Sequence, residues 1–191
     1  MPEFAVLKRG RFNYSSWSTR VLTLDIPRGV AMLSRKGRPD GADRHVMRAP
    51  SVQMWPHYDK RCLDEKFDSL KAKLTLVLRG THGTDDDDDH PNGTAPRLTS
   101  ASAPSDEEWV LRFVSLKDLS HAAYMLTDME LRQGWESTAL PGDATMSSSQ
   151  SEMVPVKAQV QARCAKDLQP IREAWLEHHQ RKAQDAPFLS W

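Results

Sequence analysis

Basic side chains are concentrated in the first part of the chain, where they could bind an anion together. Cationic groups that converge at one end of a sheet recognise phosphorylated groups through charge-assisted hydrogen bonds. Alternate residues of a strand point to the same face, so neighbouring strands can bring such groups together. The basic residues in and beside the first three predicted strands include Lys8, Arg9, Arg11, Arg20, Arg35 and Lys36.

Large apolar side chains near the end of the chain could bind a protein partner. The stripe that carries them has helical spacing and consists of Val156, Val160, Cys164, Leu168, Ile171 and Trp175. Aromatic and aliphatic residues on one helix face are typical anchors in a partner's groove. The partner-binding candidates are Ile171, Trp175 and Leu176. The same helix could instead fold back onto its own domain or pair with a second copy, and the stripe does not separate these alternatives.

Other residues that could perform chemistry lack an informative arrangement. Asp85–Asp89 with His90 lack the ligand spacing of a calcium loop, and His178 and His179 point about 100° apart on a helix. Cys62 and Cys164 have no CxxC partner. No catalytic motif is present, so we expect no enzyme activity, no cofactor and no metal. No recognition helix or aromatic RNA-binding motif accompanies the basic residues, so no specific nucleic-acid binding is expected.

The distribution of charge suggests how the chain is organised. The 191 residues carry 26 basic and 26 acidic side chains. Residues 1–80 nevertheless have a net charge of +8, and residues 81–110 have a net charge of −7. The acidic block lies in a segment rich in Pro, Gly, Ser and Thr, which predicts a disordered insertion over 81–106.

Hydrophobic periodicity predicts seven short strands followed by a helix. Alternation of period two is clearest where Ala72, Leu74, Leu76 and Leu78 share one face. The period then changes to the helical one over about 116–132, beginning at a capping-box-like Ser115. The predicted strands span residues 5–12, 18–25, 30–35, 44–48, 51–55, 72–79 and 109–114.

The end of the chain is predicted to be a separate helical tail. A linker over 134–154 precedes a helical tail over 155–185, and an apolar segment over 186–191 follows. Pro170 interrupts the tail, so both two consecutive helices and one kinked helix are compatible with the pattern.

Three of the strands resemble those of the pleckstrin-homology (PH) family. Ala5-Val6-Leu7-Lys8-Arg9-Gly10 is similar to the first PH strand, commonly Gly-Trp-Leu-x-Lys-x-Gly. Trp17-Ser18-Thr19-Arg20-Val21-Leu22-Thr23-Leu24 resembles the second, and Gly29-Val30-Ala31-Met32-Leu33-Ser34-Arg35-Lys36 resembles the third. The resemblance covers residues 4–133. It implies a mainly β fold with a seven-stranded barrel or sandwich closed by one helix, to which the helical tail is added.

The resemblance implies binding of either phosphoinositides or proteins. Lys8 and Arg20 match basic positions of the lipid-binding motif, but Ser18 stands where that motif has another basic residue. Neighbouring basic residues could compensate for Ser18, so the resemblance implies six candidates for lipid or anion binding: Lys8, Arg9, Arg11, Arg20, Arg35 and Lys36. Tyr124 also stands in a helix that often carries Trp in the family. We therefore expect a non-enzymatic scaffold or adaptor that binds protein partners, with phosphoinositide-dependent membrane recruitment as the alternative. A cytoplasmic location is expected, and peripheral association with membranes or the cytoskeleton is a further alternative.

Overall fold

The fold is a small β-barrel flanked by two long helices. The computed structural model describes residues 1–11, 15–35, 44–83, 106–138 and 156–185. The expected acidic insertion, the linker and the apolar segment after residue 185 lie essentially outside these ranges. None of the described helices combines the length and the apolar character needed to cross a membrane.

Six antiparallel strands form the barrel in chain order. Each strand pairs with the next, and the last pairs with the first to close the barrel. The strands are β1 Glu3–Arg9, β2 Trp17–Asp25, β3 Val30–Ser34, β4 His45–Met54, β5 Thr75–Gly83 and β6 Asp106–Phe113.

The expectation of seven strands is not confirmed, because the predicted fourth and fifth strands are two halves of β4. The register of β4 against β5 shifts between Arg48 and Ser51. Ala49 within this irregularity has a φ of 49°, in the left-handed region that non-glycine residues rarely adopt. Pro50 cannot donate a hydrogen bond to a neighbouring strand, so the sequence predicted that one strand ends here and another begins. The structure instead continues the strand through a bulge.

The start of the predicted sixth strand is also different. Leu70–Lys73 form a short helix, α1, before β5 begins at Thr75. The Ser69 side chain accepts a hydrogen bond from the Ala72 N–H at 3.2 Å, which caps this turn. Ala72 therefore fits the alternating strand pattern in the sequence but lies in α1 in the structure.

The interior of the barrel is filled by side chains from alternating strand positions. Phe4 and Val6 of β1 are buried, as are Trp109, Leu111 and Phe113 of β6. This alternation is what a strand with one core-facing side requires. Further core residues come from the other strands: Leu22, Leu24, Ala31, Leu33, Met47, Val52, Met54, Leu76 and Leu78.

Helix α2 (Leu116–Thr138) covers one end of the barrel. Leu119, Leu126 and Met129 on its inner face are buried in the same core. The helix extends beyond the predicted end near residue 132, since Gly134 lies within it. The Gln133 side chain donates to the Gly29 carbonyl at 3.1 Å, so this additional turn contacts the β2–β3 connection.

Helix α3 (Val156–Asp185) is one continuous helix that includes Pro170 and packs on α2. Val160, Cys164, Leu168 and Ile171 are buried in the core that includes α2. Arg163 of α3 also pairs with Glu130 of α2 at 3.3 Å. The apolar stripe of the tail is therefore used largely within the chain.

A second, smaller core lies on the outer surface of the barrel. The segment between β4 and β5 covers Val77 and Val110 with Tyr58 and Cys62. The Tyr58 hydroxyl donates to the Ala72 carbonyl, and Arg112 forms an ion pair with Glu65. These contacts hold the segment against β5 and β6.

Candidate functional site

The end of the barrel opposite α2 brings several candidate basic residues together. In the β1–β2 ladder, Lys8 lies opposite Ser18 and Val6 lies opposite Arg20. Directly opposite residues share a face of the sheet. Because Val6 faces the core, Lys8, Ser18 and Arg20 also lie on the inner face, close to the open end.

The environment of Lys8 shows that the charges at this end interact. Its Nζ atom lies 5.8 Å from the centroid of the buried Trp109 ring. Burial lowers the pKa of Lys8, and the positive charges of Arg20 and Arg11 lower the pKa further, while Glu107 acts in the opposite direction. Three of the six predicted basic residues therefore form one electrostatic group.

A cleft opens beside this group, where β1 and β6 separate. It has a volume of about 700 Å³. The residues that line it on the β1 side include Lys8, Arg9 and Arg11, and those on the β6 side include Asp106, Glu107 and Glu108. One wall is therefore basic and the other acidic.

Strand β5 engages two of the acidic side chains. Glu107 lies 3.1 Å from His82 Nδ1, and the Arg79 Nε donates to Glu108 at 2.9 Å. These contacts direct the carboxylates toward β5. Part of the negative charge of the acidic wall is therefore offset by side chains of β5.

The remaining predicted basic residues have different positions. The Arg9 guanidinium donates to the Arg61 carbonyl at 3.3 Å. Arg35 is exposed just after β3, and Lys36 lies outside the described residues. The Ser18 hydroxyl donates to the Lys8 carbonyl at 3.4 Å, so the residue that departs from the lipid-binding motif bonds to the neighbouring backbone.

A second candidate site is a groove between α2 and α3, with a volume of about 620 Å³. Its walls combine apolar and basic residues: Leu116, Lys117, His121, Tyr124, Arg172 and Trp175. The ring centroids of Trp175 and His179 lie 4.0 Å apart, which stabilises one side of the tryptophan. We call this feature the α2/α3 groove.

The three partner-binding candidates have unequal positions. Ile171 is completely buried in the core, so it holds α3 on α2 in this arrangement and is not an exposed anchor. Trp175 is partly exposed in the α2/α3 groove. Leu176 is 52% exposed on the adjacent helix surface.

Sequence reasoning missed the acidic wall of the cleft and the α2 wall of the groove. The predicted last strand began at Trp109, which left Asp106 in the predicted insertion and Glu107 and Glu108 between the insertion and the strand. Extension of the alternation by one step, from Trp109 to Glu107, could have placed Glu107 on the inner face. For the groove, the available signal was the presence of Leu116 and Tyr124 on the predicted helix. The sequence did not show which other element packs beside them.

Both cysteines are buried, and the potential metal ligands among the described residues do not cluster. Burial raises the pKa of both the Cys62 and the Cys164 thiol, which disfavours the nucleophilic thiolate. No cluster of three or more potential metal ligands occurs within the described ranges. Asp85–Asp89 and His90 lie outside those ranges.

Comparisons with known proteins do not identify a family for this chain. No protein-family model matches the chain, and no curated protein sequence matches it. The observed architecture, a small closed barrel with a helix after its last strand, is broadly compatible with the PH fold.

Proposed function

We propose that this chain is a non-enzymatic, PH-like interaction module that binds a protein partner through the α2/α3 groove. The observation that carries this proposal is the partly exposed Trp175, which lies in the groove with Tyr124 and Leu116. Aromatic residues in a concave apolar surface are frequent anchors of protein interfaces. The proposed function makes use of the part of α3 that the core leaves accessible.

The charge of the groove specifies the chemistry of the partner. Its described lining includes Lys117 and Arg172 but no carboxylate. A peptide or helix with apolar side chains and flanking acidic residues would satisfy both the apolar floor and the basic rim. The partner is therefore an apolar segment with acidic flanks.

Selection from a library of random peptides displayed on phage tests this proposal with the full chain as bait. Selected peptides should combine apolar residues with acidic flanks. They should bind Trp175→Ala at least about ten-fold more weakly, corresponding to about 1.4 kcal/mol. Peptides that bind Trp175→Ala and the original chain equally well would contradict the proposal.

A matched pair of arginine variants tests the charge of the groove separately. Arg172→Gln removes a charge from the groove, whereas Arg181→Gln removes one from the same helix beyond it. The first variant should weaken binding and the second should not. Equal effects would mean that only the overall charge of α3 matters.

Competition from the apolar residues 186–191 of the chain itself is tested by their removal. A chain that ends at Asp185 separates the two cases. If these residues filled the groove within the chain, their removal would strengthen binding of the selected peptides. If an external partner is the principal ligand, the affinity of the shortened chain for the selected peptides should be unchanged.

The alternative function, recognition of a phosphoinositide headgroup, is favoured by one specific observation. Lys8 and Arg20 lie on the inner face of the paired strands β1 and β2, and Arg11 lines the same cleft as Lys8 at the open end of the barrel. Sedimentation with liposomes that contain or lack phosphoinositides tests this alternative. It predicts saturable, headgroup-selective binding that is lost in Arg20→Ala and retained in Arg28→Ala, because Arg28 lies in the β2–β3 connection at the other end of the barrel.

A further inference from the structure

A histidine lies in the lining of the α2/α3 groove. His121 is on the α2 wall, and its side chain is exposed. Its ring makes an edge-to-face contact with the ring of Phe4, at a centroid distance of 5.5 Å and an interplanar angle of 86°. Since Phe4 is buried in the core of the barrel, this contact holds the imidazole beside the groove.

The charged side chains that share the lining with His121 are basic. Lys117 precedes His121 by one turn on the same face of α2, and Arg172 lies on the α3 wall. The phenol of Tyr124 is the other titratable group of the described lining. From β1, the side chain that contacts His121 is the apolar Phe4. The groove therefore has two permanent positive charges and one side chain that can acquire a third.

Protonation of His121 changes how well the groove fits an acidic partner. Histidine is the residue type whose charge ordinarily changes between about pH 5 and 8. A partner with acidic flanks brings carboxylates to the basic rim, and an opposite charge at short range favours the protonated form of a histidine. The bound partner and the protonated His121 consequently stabilise each other, and this coupling is reciprocal.

We propose that binding of a partner to the α2/α3 groove is coupled to protonation of His121, so that an acidic-flanked partner binds more tightly as the pH falls from about 8 to about 6. This inference rests on the function proposed for the groove and adds its regulation. Carboxylates of Asp and Glu ordinarily keep their charge throughout this range. The change in affinity therefore originates in the groove and not in the partner.

Two further histidines of α3 lie near the groove. The ring centroids of His179 and Trp175 are 4.0 Å apart, and those of His178 and His179 are 5.7 Å apart. Neither histidine belongs to the groove lining. Protonation of these residues should therefore change the affinity less than protonation of His121 does.

Isothermal titration calorimetry of the full chain at pH 6 and pH 8 tests the coupling. The probe is an acidic-flanked peptide from the phage selection, synthesised with capped ends. We expect about two- to five-fold tighter binding at pH 6, as one additional ion pair at an exposed surface would give. Titrations near pH 7 in buffers of different ionisation enthalpy should also show net uptake of protons on binding. The same peptide with Asn and Gln in place of its Asp and Glu should bind equally at both pH values.

Two replacements that fix the charge at position 121 assign the proton to this residue. His121→Gln should bind the peptide as the original chain does at pH 8, without a gain at pH 6. His121→Lys should bind at both pH values about as tightly as the original chain does at pH 6. His178→Gln is the matched control on α3 and should retain the pH dependence. Circular dichroism at both pH values verifies that each variant is folded.

The outcomes separate the coupling from the function on which it rests. If the selection yields no peptide whose binding depends on Trp175, the proposed function fails and the coupling fails with it. A peptide that depends on Trp175 but binds equally at pH 6 and pH 8 would overturn the coupling and leave the function intact. A pH dependence that persists in His121→Gln would place the proton on another residue and would also overturn the coupling.

Discussion

The Nζ atom of Lys8 lies 5.8 Å from the centroid of the Trp109 ring, at the boundary between the core and the open end of the barrel. Lys8 faces the inside of the barrel, as Phe4 and Val6 do, but it lies at the edge of the apolar core. An ammonium group over an indole face is attracted by the ring quadrupole. The same position nevertheless removes much of the water that would solvate the charge.

The replacement Lys8→Met should preserve or slightly increase stability at pH 7. Burial lowers the pKa of Lys8 from its usual 10.5. The buried charge therefore reduces the free energy of unfolding, and Met does not have this effect. We expect a gain below about 1 kcal/mol, since the solvent-exposed part of the side chain is still screened. Urea unfolding measures this change, with the exposed Lys71→Met as control.

The pH dependence of the same pair gives a signed prediction. Between the lowered pKa and 10.5, the unfolded state binds more protons at Lys8 than the folded state. The free energy of unfolding contributed by this residue therefore rises with pH across that window. The stability advantage of Lys8→Met should shrink as pH rises toward 10.5, and a constant difference would contradict the assigned environment.

The sequence was most informative where one face of an element meets the core. The alternation of Leu76 and Leu78 predicted the central part of β5, and Ser115 predicted the start of α2. Both signals are local, because each depends on residues within one or two helical turns or a few positions of one strand. The hydrophobic patterns therefore predicted the mainly β architecture followed by helices.

Features that depend on contacts between distant parts of the chain were not predictable in this way. The bulge at Ala49 keeps β4 continuous because β5 pairs on both sides of it. The divergence of β1 from β6 involves residues about one hundred positions apart. The stripe on α3 was equally compatible with packing in cis and binding in trans, since both bury the same apolar face.

The replacement Tyr58→Phe should destabilise the fold by about 0.5–1.5 kcal/mol, because it removes one of two donors to the Ala72 carbonyl, the other being the Leu74 N–H. Burial raises the pKa of Tyr58 above its usual 10.0. Above pH 10, the unfolded state therefore loses this proton first, and the contribution of Tyr58 to stability decreases. Urea unfolding near pH 7 and pH 10.5 should show this alkaline loss in the original chain and a smaller one in the variant. Tyr124→Phe, on the partly exposed face of α2, is the control.

The replacement Ser115→Ala should cost about 1 kcal/mol through the N-terminus of α2. The Ser115 Oγ accepts from the Asp118 N–H at 3.1 Å and lies 2.8 Å from the Asp118 carboxylate. Thermal unfolding of Ser115→Ala and Ser120→Ala compares this cap with a serine inside the same helix. Ser120→Ala should be neutral or slightly stabilising, since alanine is the better helix former. Equal loss in both variants would exclude a specific capping role.

Replacements at two positions of α3, one buried and one exposed, should separate the structural role of the helix from its binding role. Ile171→Ala removes a completely buried side chain and should cost about 2–5 kcal/mol. Leu176→Ala changes a side chain that is 52% exposed and should alter stability by less than about 0.5 kcal/mol. Urea unfolding measures both.

The distribution of these losses tests whether α3 belongs to the folded domain. If α3 were an independent tail that binds only in trans, Ile171→Ala would leave the unfolding of the barrel unchanged. Packing of Ile171 into the core of α2 instead predicts one cooperative transition, shifted as a whole and followed equally by far-UV and near-UV circular dichroism. A separate early loss of helix signal in Ile171→Ala, with the near-UV transition unmoved, would contradict the packing of α3 on the domain.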